Sequence, residues 1–363
     1  MDFLKKVLRM FTQGRGVPVK GFLSSFFRTN EEDYTEAEYV EIDVERNTEA
    51  VAPTLRDAKT GAVIVNEDVW RENKYRPPYS AMKNPINLHE LMERQPGESD
   101  DADAVGTWFG RLVRKILRVL KKYHRMFAKN IELQCAQALQ TGKITLRDDK
   151  AGVTYELDYG QSATHLPVAA INWGSSGAKP VADVTSLCDV IAADGEADPA
   201  IAVFGARAWQ DILADATFEK MIQRDGLGLG SVNPGLKDKG ARYMGWAMFG
   251  SHRLELWIYN SKYKTLSGGA NKYDYLDQDK VIVTTSLEDL DLRVVFGGVP
   301  TLGMKAPFDG VVPPVVTYDG FIRVHNRVFE DEQQDTYTAE SKMRALAIPV
   351  SIDRVGCLTT RSA

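Results

Sequence analysis

Glycine-rich segments are the first places in this sequence where phosphate chemistry could occur. A phosphate-binding loop needs a lysine and a hydroxyl residue after its glycines, and a dinucleotide fingerprint needs the order G-x-G-x-x-G before a helix. The segment GLGLGS at 226–231 lacks the third glycine of that spacing and leads into Asn233-Pro234-Gly235, which is typical of a turn. The glycine pairs at 268–269 and 297–298 lack the lysine and hydroxyl. The sequence therefore predicts loops here and no cofactor site.

Histidine and cysteine side chains could instead bind a metal ion or act in nucleophilic catalysis. No histidine has a second histidine or a cysteine two to five residues further on, so no metal site begins locally. His165 with Asp158, or Cys188 with Asp189, could be combined into a nucleophile system, but no G-x-S-x-G elbow surrounds them. The histidines are His89, His124, His165, His252 and His325. We expect no catalytic residues, no metal and no cofactor.

Composition indicates a globular chain. Of 363 residues, 44% are hydrophobic and 26% are charged, which suffices for a sizeable core and two or three structural units. The 50 acidic and 45 basic residues nearly balance, which argues against a dedicated DNA-binding protein. Three scattered cysteines, Cys135, Cys188 and Cys357, indicate a reducing compartment. No stretch reaches the roughly 18 apolar residues of a membrane helix, so we expect a soluble protein.

The strongest periodic signal predicts one long helix. Apolar residues recur at steps of three and four from Val105 to Ile131, and the pattern continues to about Gln140 before Thr141-Gly142. A helix over about 104–140 would be a rod of roughly 50 Å. The acidic run at 98–103 suits its N-terminus. Every other element would be organised around this spine helix.

A basic ladder follows the spine helix on the face opposite its apolar stripe. Three interpretations remain open: a solvated or acid-paired face, a contact with nucleic acid or an acidic scaffold, and binding to a membrane surface. We define the ladder by its eight cations, which have no acidic residue among them: Arg111, Arg114, Lys115, Arg118, Lys121, Lys122, Arg125 and Lys129.

Short strands and an amphipathic segment precede the spine helix. Residues 1–30 predict a short helix that packs on its own domain or forms an arm reaching a neighbouring copy; Lys5, Lys6 and Arg9 interrupt any secretion signal. YVEIDV at 39–44 alternates like a strand, and residues 51–83 predict a long hairpin with its tip at 59–61. Pro77 and Pro78 stiffen its return.

The C-terminal half predicts an independent α/β unit followed by returning strands. Between 183 and 286, apolar runs such as AIAVFG, LELWIYN and VIVTTS read as strands, and TSLCDVIAA, AWQDIL and FEKMIQR read as helices. Beyond Phe321, FIRVHNRVF and MRALAIPVSI are strand-like, and the second would close an earlier sheet.

The order of these elements resembles the tailed-phage capsid fold. More specifically, the chain resembles the lambda-type major capsid proteins of the capsid E family, in collinear order over nearly its whole length. The resemblance lies in FLSSFFRTNEEDYTEAEYVEID, VAPTLRDAKTGAVI with YRPPY, NPINLHELMERQPGES, LQCAQALQTGKITL with YELDYG, AVFGARAWQDIL, and the closing strand around 343–352. The basic density of the spine helix and the region 261–280 are departures from it.

The resemblance implies an α+β fold of the Hong Kong 97-type. Its expected parts are an N-terminal arm and first strand at 1–50, an extended hairpin loop at 51–83, a peripheral domain at 84–185, an axial domain at 186–305, and a return to the peripheral domain at 306–363. The resemblance also implies a major capsid protein that forms pentamers and hexamers of an icosahedral shell around double-stranded DNA, without enzymatic activity.

Partners implied by the resemblance are other copies of the chain, a scaffold, a portal, a decoration protein and non-specifically contacted DNA, with no membrane. The protein would reside in the virion after assembly in the bacterial host cytoplasm. Two alternatives stay open: an encapsulin-like compartment subunit, and an α/β hydrolase or nucleotide-binding protein.

Overall fold

The structure is a computed structural model that describes residues 20–37, 39–43, 72–87, 108–147, 154–223, 230–232, 237–266, 270–299, 315–318, 322–331 and 336–362. The predicted N-terminal helix, hairpin tip and acidic run lie outside these residues. The α-helices of the described residues are α1 Trp108–Thr141, α2 Pro180–Gly195, α3 Ala206–Leu213 and α4 Ala216–Gln223. No helix in these ranges is long and apolar enough to cross a membrane.

Strands make up most of the remaining regular structure. They are β1 Val40–Asp43, β2 Glu72–Tyr75, β3 Tyr79–Asn87, β4 Lys143–Arg147, β5 Thr154–Asp158, β6 Pro199–Phe204, β7 Gly230–Val232, β8 Lys237–Asp238, β9 Ala241–Phe249, β10 His252–Tyr259, β11 Lys262–Tyr263, β12 Tyr273–Asp274, β13 Lys280–Thr285, β14 Leu292–Phe296, β15 Val315–Tyr318, β16 Arg323–Asp331, β17 Thr336–Pro349 and β18 Val355–Thr359. Short 3-10 helices lie at Leu23–Phe26, Glu31–Asp33, Ala163–His165 and Ile352–Arg354.

The chain divides into two compact units. Unit 1 comprises Met1–Val40, Arg76–Cys135 and Arg293–Ile348, and unit 2 comprises Glu41–Tyr75, Ala136–Leu292 and Pro349–Ala363. The domains implied by the resemblance, at 84–185, 186–305 and 306–363, divide the chain at other positions, and they stay a prediction. Strand β18 pairs with β13 within unit 2.

Helix α1 confirms the predicted spine, and it ends where the sequence indicated. Leu112, Ile116 and Leu120 are at most 1% exposed, because the three- and four-residue spacing places them on one face. At the C-terminus, Gly142 has φ +62°, and its N–H donates to the Ala138 carbonyl at 3.0 Å. Glycine adopts this left-handed conformation without steric cost, so the helix stops there.

Unit 1 combines α1 with a five-stranded sheet. The sheet has the order β14-β17-β16-β15, and β3 also pairs with β17, in the antiparallel register Tyr79 to Arg344 through Asn87 to Thr336. Ile86, Val328 and Ala339 from the strands pack with Leu112, Ile116 and Leu120 from the helix in one core. The predicted strands after Phe321 are confirmed as β16 and β17.

Unit 2 is built on a seven-stranded sheet, and it confirms the predicted α/β pattern. The order is β18-β13-β6-β10-β9-β7, with β8 also on β9; β6 and β10 run parallel and the other described pairs are antiparallel. Helices α2 to α4 supply Leu187, Ile212 and Phe218 to its core. Gly230–Val232, predicted as part of a loop, instead form β7 because they pair with β9.

Candidate assembly surfaces

The basic ladder lies on the solvent side of α1. Successive residues of an α-helix are rotated by about 100°, so the eight cations fall within an arc of about 120° opposite Ile116 and Leu120. Every residue between 111 and 129 that lies in this arc is Lys or Arg. Arg114, Arg118, Lys121, Lys122, Arg125 and Lys129 are exposed. Within the described part of the chain, no carboxylate lies within ion-pair distance of Arg118, Lys121, Lys122, Arg125 or Lys129. These five cations therefore present positive charge without an ion-pair partner among the described residues, and they do so on a rigid element.

Below the ladder, Glu132 fastens the N-terminal segment to α1. Its carboxylate is 3% exposed and accepts the backbone N–H of Leu23 at 2.9 Å and of Ser24 at 2.8 Å. Those amides begin a short 3-10 helix, where backbone N–H groups lack intrahelical partners. Leu23 and Phe27 are fully buried beside it. The carboxylate thus provides the hydrogen-bond acceptor that these two amides lose when they are buried away from water. It also fixes the position of the start of this 3-10 helix on α1.

The same segment continues along the sheet of unit 1. The Thr35 N–H donates to the Phe296 carbonyl at 3.0 Å, and the Gly298 N–H donates to the Ala37 carbonyl at 2.8 Å. A Cβ on Gly298 would lie 2.0 Å from the Glu36 carbonyl oxygen, so only glycine permits this approach. Residues 20–37 are therefore part of the folded unit 1.

Strand β3 forms an edge of the unit 1 sheet. Among the described residues it pairs only with β17, and alternate side chains from Tyr79 to Asn87 are exposed. Lys83 and Pro85 lie on the exposed set, and Pro85 has no N–H to donate. Charged residues and prolines discourage unplanned strand pairing at an edge. The strand also contains the end of the hairpin predicted at 51–83, whose residues 51–71 lie outside the described ranges.

The structure does not assemble the candidate nucleophile systems. His165 contacts Asp194 at 3.0 Å rather than Asp158, whose carboxylate pairs with Lys143 at 2.7 Å. Cys188 lies in the unit 2 core, where burial raises its pKa to about 12. Such a thiol stays protonated at neutral pH and is a poor nucleophile. These four side chains are parts of the packing and of local pairs.

Three carboxylates of α2 contact buried aromatic nitrogens of unit 2. Asp183 accepts the Trp173 indole N–H at 2.8 Å, and Asp194 contacts the His165 imidazole. Asp189, which the sequence paired with Cys188, instead contacts His252 at 3.1 Å. Each contact satisfies a polar atom that burial would otherwise leave without a partner. These contacts hold α2 against β10 and against the segment that contains His165 and Trp173.

Two more histidines are buried in unit 1. The Asn326 side-chain oxygen is 3.2 Å from His124 Nε2 and accepts the Ser341 hydroxyl at 2.8 Å. His325 is 2% exposed, and burial, followed by the charges of Arg323 and Lys342, lowers its pKa to about 4. His89 lies outside the described residues. Within those residues, no group of three His, Cys, Asp or Glu side chains could hold a metal ion.

Glu132 is the functional residue that sequence reasoning missed. One local signal could have found it: it is the single acidic residue in the 34 residues of α1. This carboxylate stands between the apolar residues Ile131 and Leu133 and follows the eight cations of the ladder. It therefore interrupts both the apolar pattern and the basic pattern of the helix. An isolated charge at such a position indicates a specific partner.

A family comparison gives a match over most of the chain. The sequence model described as "Phage major capsid protein E" matches residues 8–316. That range includes the basic ladder, the Glu132 anchor, β3 and most of unit 2. No curated protein sequence matches the chain significantly.

Solved structures with similar folds also cover nearly the whole chain. A prophage capsid protein from E. coli CFT073 is 14% identical with a TM-score of 0.64, and each chain is covered to 99%. A phage-related protein from Bordetella bronchiseptica RB50 is 12% identical with a TM-score of 0.50, covering 98% of this chain and 96% of that one. At these identities the similarity shows the fold, and it confirms the predicted tailed-phage capsid fold.

Proposed function

The chain belongs to the phage major capsid protein E family, and from that premise we propose that rings of five and six copies build an icosahedral shell around double-stranded DNA. The observation that carries this proposal is the family match over 8–316 together with the fold of a prophage capsid protein. A structural family gives the chain a structural role, and we assign it no catalytic residue, metal or cofactor.

Head-to-tail contacts would close the rings. In such contacts one surface of a subunit meets a different surface of the next copy, and a rotation that closes produces a ring. Unit 1 would supply much of the peripheral domain and unit 2 the axial domain, and the bounds 84–185, 186–305 and 306–363 remain those that the resemblance implies. Interfaces of permanent assemblies often exceed about 2,000 Å². Much of the subunit's stability would then come from its neighbours.

Two extensions would connect neighbouring copies. The fastening of residues 20–37 by Glu132 and β14 supports an arm made of the residues before Lys20, because the segment leaves the folded unit at a fixed point. The strand β3 supports an extended loop at 51–83, because it anchors the return of that loop in the sheet. Both extensions could add backbone hydrogen bonds to strand edges of an adjacent copy.

A shell of this kind implies partners beyond the subunit itself. We include a scaffold that guides assembly, a portal through which DNA enters, a decoration protein on the outer surface, and non-specific contact with the packaged DNA. The net charge of -5 suits a container, because a strongly cationic wall would bind phosphates and oppose packing. Assembly would take place in the bacterial host cytoplasm, and the finished protein would reside in the virion.

Negative-stain electron microscopy of the purified chain, with and without the scaffold protein encoded beside it, tests the proposal. We expect icosahedral shells, tubes or ring-shaped capsomers. Uniform monomers in both preparations, together with saturable nucleotide binding, would contradict the proposal and favour the α/β enzyme alternative. Shells that enclose a protein cargo and no DNA would favour the encapsulin-like alternative.

A further inference from the structure

The charge of the chain is unevenly distributed. Eight of its 45 basic residues lie in 19 positions of α1, where no acidic residue is present, although the whole chain is net acidic. In the described structure, five of them have neither an ion pair nor any other side-chain partner that would neutralise them: Arg118, Lys121, Lys122, Arg125 and Lys129. The Arg125 Nε–H donates only to the Lys121 carbonyl, at 3.3 Å. A surface of this kind attracts a polyanion.

The apolar side of α1 excludes one of the three interpretations of the ladder. A helix that binds a membrane surface inserts an apolar face into the lipid. In this protein Leu112, Ile116 and Leu120 are at most 1% exposed, because they form the core of unit 1. No apolar face of α1 is therefore left for a bilayer.

The composition of the ladder favours nucleic acid over a protein partner. Protein interfaces are centred on aromatic and other apolar anchors, and lysine is depleted from them. The arc of the ladder contains Lys and Arg alone between 111 and 129. Contacts to phosphate oxygens need only such flexible cations and carry no sequence information. The ladder therefore matches a nucleic acid, whose phosphates are charged uniformly along its length.

The spacing of the exposed cations also matches a duplex. From Arg118 to Lys129 the helix rises about 16 Å, and the four intervals between the five cations average about 4 Å. Along the axis of double-stranded DNA, each strand carries one phosphate per about 3.4 Å. The long, flexible Lys and Arg side chains of one straight helix can therefore reach several phosphates of a duplex.

We propose that the basic ladder of α1 is the surface through which the subunit contacts double-stranded DNA, independently of base sequence. This inference rests on the proposed function, which supplies the DNA. It assigns the contact chiefly to the five cations of the ladder from Arg118 to Lys129, a location that the family resemblance did not give. The contact would be shallow and electrostatic, so that DNA can slide across it during packing and leave during ejection.

Equilibrium binding of the full-length, unassembled chain to a short labelled random-sequence duplex tests the inference. For about five phosphate contacts, we expect log K to fall with log salt at a slope of about -4 to -5, and the affinity to fall on the order of several hundred-fold between about 50 and 200 mM salt. A triple variant, Lys121→Gln, Lys122→Gln and Arg125→Gln, should reduce the magnitude of that slope by about 2 to 3. Glutamine preserves helix propensity, so the variant should fold.

A matched variant removes three exposed lysines elsewhere: Lys179→Gln, Lys220→Gln and Lys264→Gln. It changes the net charge equally and should leave the slope unchanged. Equal effects of the two triple variants would overturn the inference, because binding would then follow net charge alone. A preference between two duplex sequences, or tighter ladder-dependent binding of polyglutamate than of DNA, would also overturn it.

Electron microscopy of the same variants separates this inference from the proposed function. Shells made by the ladder variant together with a reduced salt slope would support both. Shells with unchanged DNA binding would overturn the inference alone. If the wild-type chain formed no shells yet bound DNA through the ladder, the inference would hold and the proposed function would fail.

Discussion

At the residue scale, Glu132 shows how one buried charge can fix an extended segment. Two amides converge on its carboxylate, and a Cβ on Gly21 would lie 2.0 Å from the carboxylate oxygen Oε2. A buried carboxylate is stable only if its lone pairs are satisfied, and the segment's amides need an acceptor in return. The helix and the segment therefore require each other.

Replacing Glu132 by alanine should lower the free energy of unfolding by about 3 kcal/mol, since two buried amides lose a charged acceptor. Hydrogen exchange at Leu23 and Ser24 should accelerate. Glu156→Ala, which removes an exposed carboxylate from β5, should change stability by less than about 0.5 kcal/mol. Unaltered exchange at Leu23 and Ser24 in the Glu132 variant would show that the carboxylate does not hold the segment.

His325 should make unit 1 sensitive to acid. Its pKa falls from 6.5 to about 4 on folding, so the unfolded chain binds the proton more tightly. Stability should therefore decrease as the pH falls from about 6.5 towards 4, by up to about 3 kcal/mol. Urea unfolding at pH 7 and pH 4.5 measures the loss, and His325→Gln should reduce it. An identical loss in the variant would mean that other groups cause the acid sensitivity.

The residue-level contacts show where sequence reasoning stops. The histidines are isolated from one another in the sequence, which predicted structural roles for them. Their hydrogen-bond partners could not be predicted. Asp194 lies 29 residues from His165, and Asn326 lies 202 residues from His124. Such pairs depend on how helices and strands pack, and nothing in the adjacent sequence identifies them.

At the element scale, predictability follows the strength of the local signal. Helix α1 was predicted almost to its last residue, because its apolar period is regular and Gly142 ends it. Strand β9 was missed, because Met244 and the adjacent Gly245 are both buried and interrupt its alternation. The pairing of β18 with β13 was also missed, because the sequence of a strand does not indicate which distant strand it pairs with.

Leu120→Asp should prevent folding of unit 1. Leu120 is fully buried in the core formed by α1 and the sheet, and an unpaired buried charge costs several kcal/mol. The neighbouring substitution Lys121→Asp introduces the same residue on the exposed face and should leave a folded protein. Soluble yield and circular dichroism measure both. A folded Leu120→Asp protein would contradict the assignment of this face to the core.

Shortening the predicted hairpin at Lys59–Gly61 should separate folding from assembly. These residues lie at the tip of the proposed extended loop, so the truncated chain should fold and assemble poorly. Near-UV circular dichroism reports the fold, and particle counts by electron microscopy report assembly. Normal shells from the shortened chain would show that the hairpin does not join subunits.

At the scale of the whole molecule, assembly should alter stability more than any single contact. Interfaces form only between folded subunits, so association shifts the unfolding equilibrium towards the folded state. Shells should therefore unfold at a higher temperature than unassembled subunits in the same buffer. Calorimetry of the two fractions measures the difference. Equal unfolding temperatures would mean that the lattice contributes little to the stability of its subunits.

The three cysteines make the protein suitable for site-specific labelling. Cys135, Cys188 and Cys357 are at most 2% exposed, and burial raises the pKa of each thiol, to about 12 for Cys188 and Cys357. Maleimide reagents need an accessible thiolate, so the native thiols should react slowly while the chain is folded. A cysteine introduced on the solvent face of α1 would then be the one rapidly labelled position, and a fluorophore there could report DNA entry without removal of any native residue.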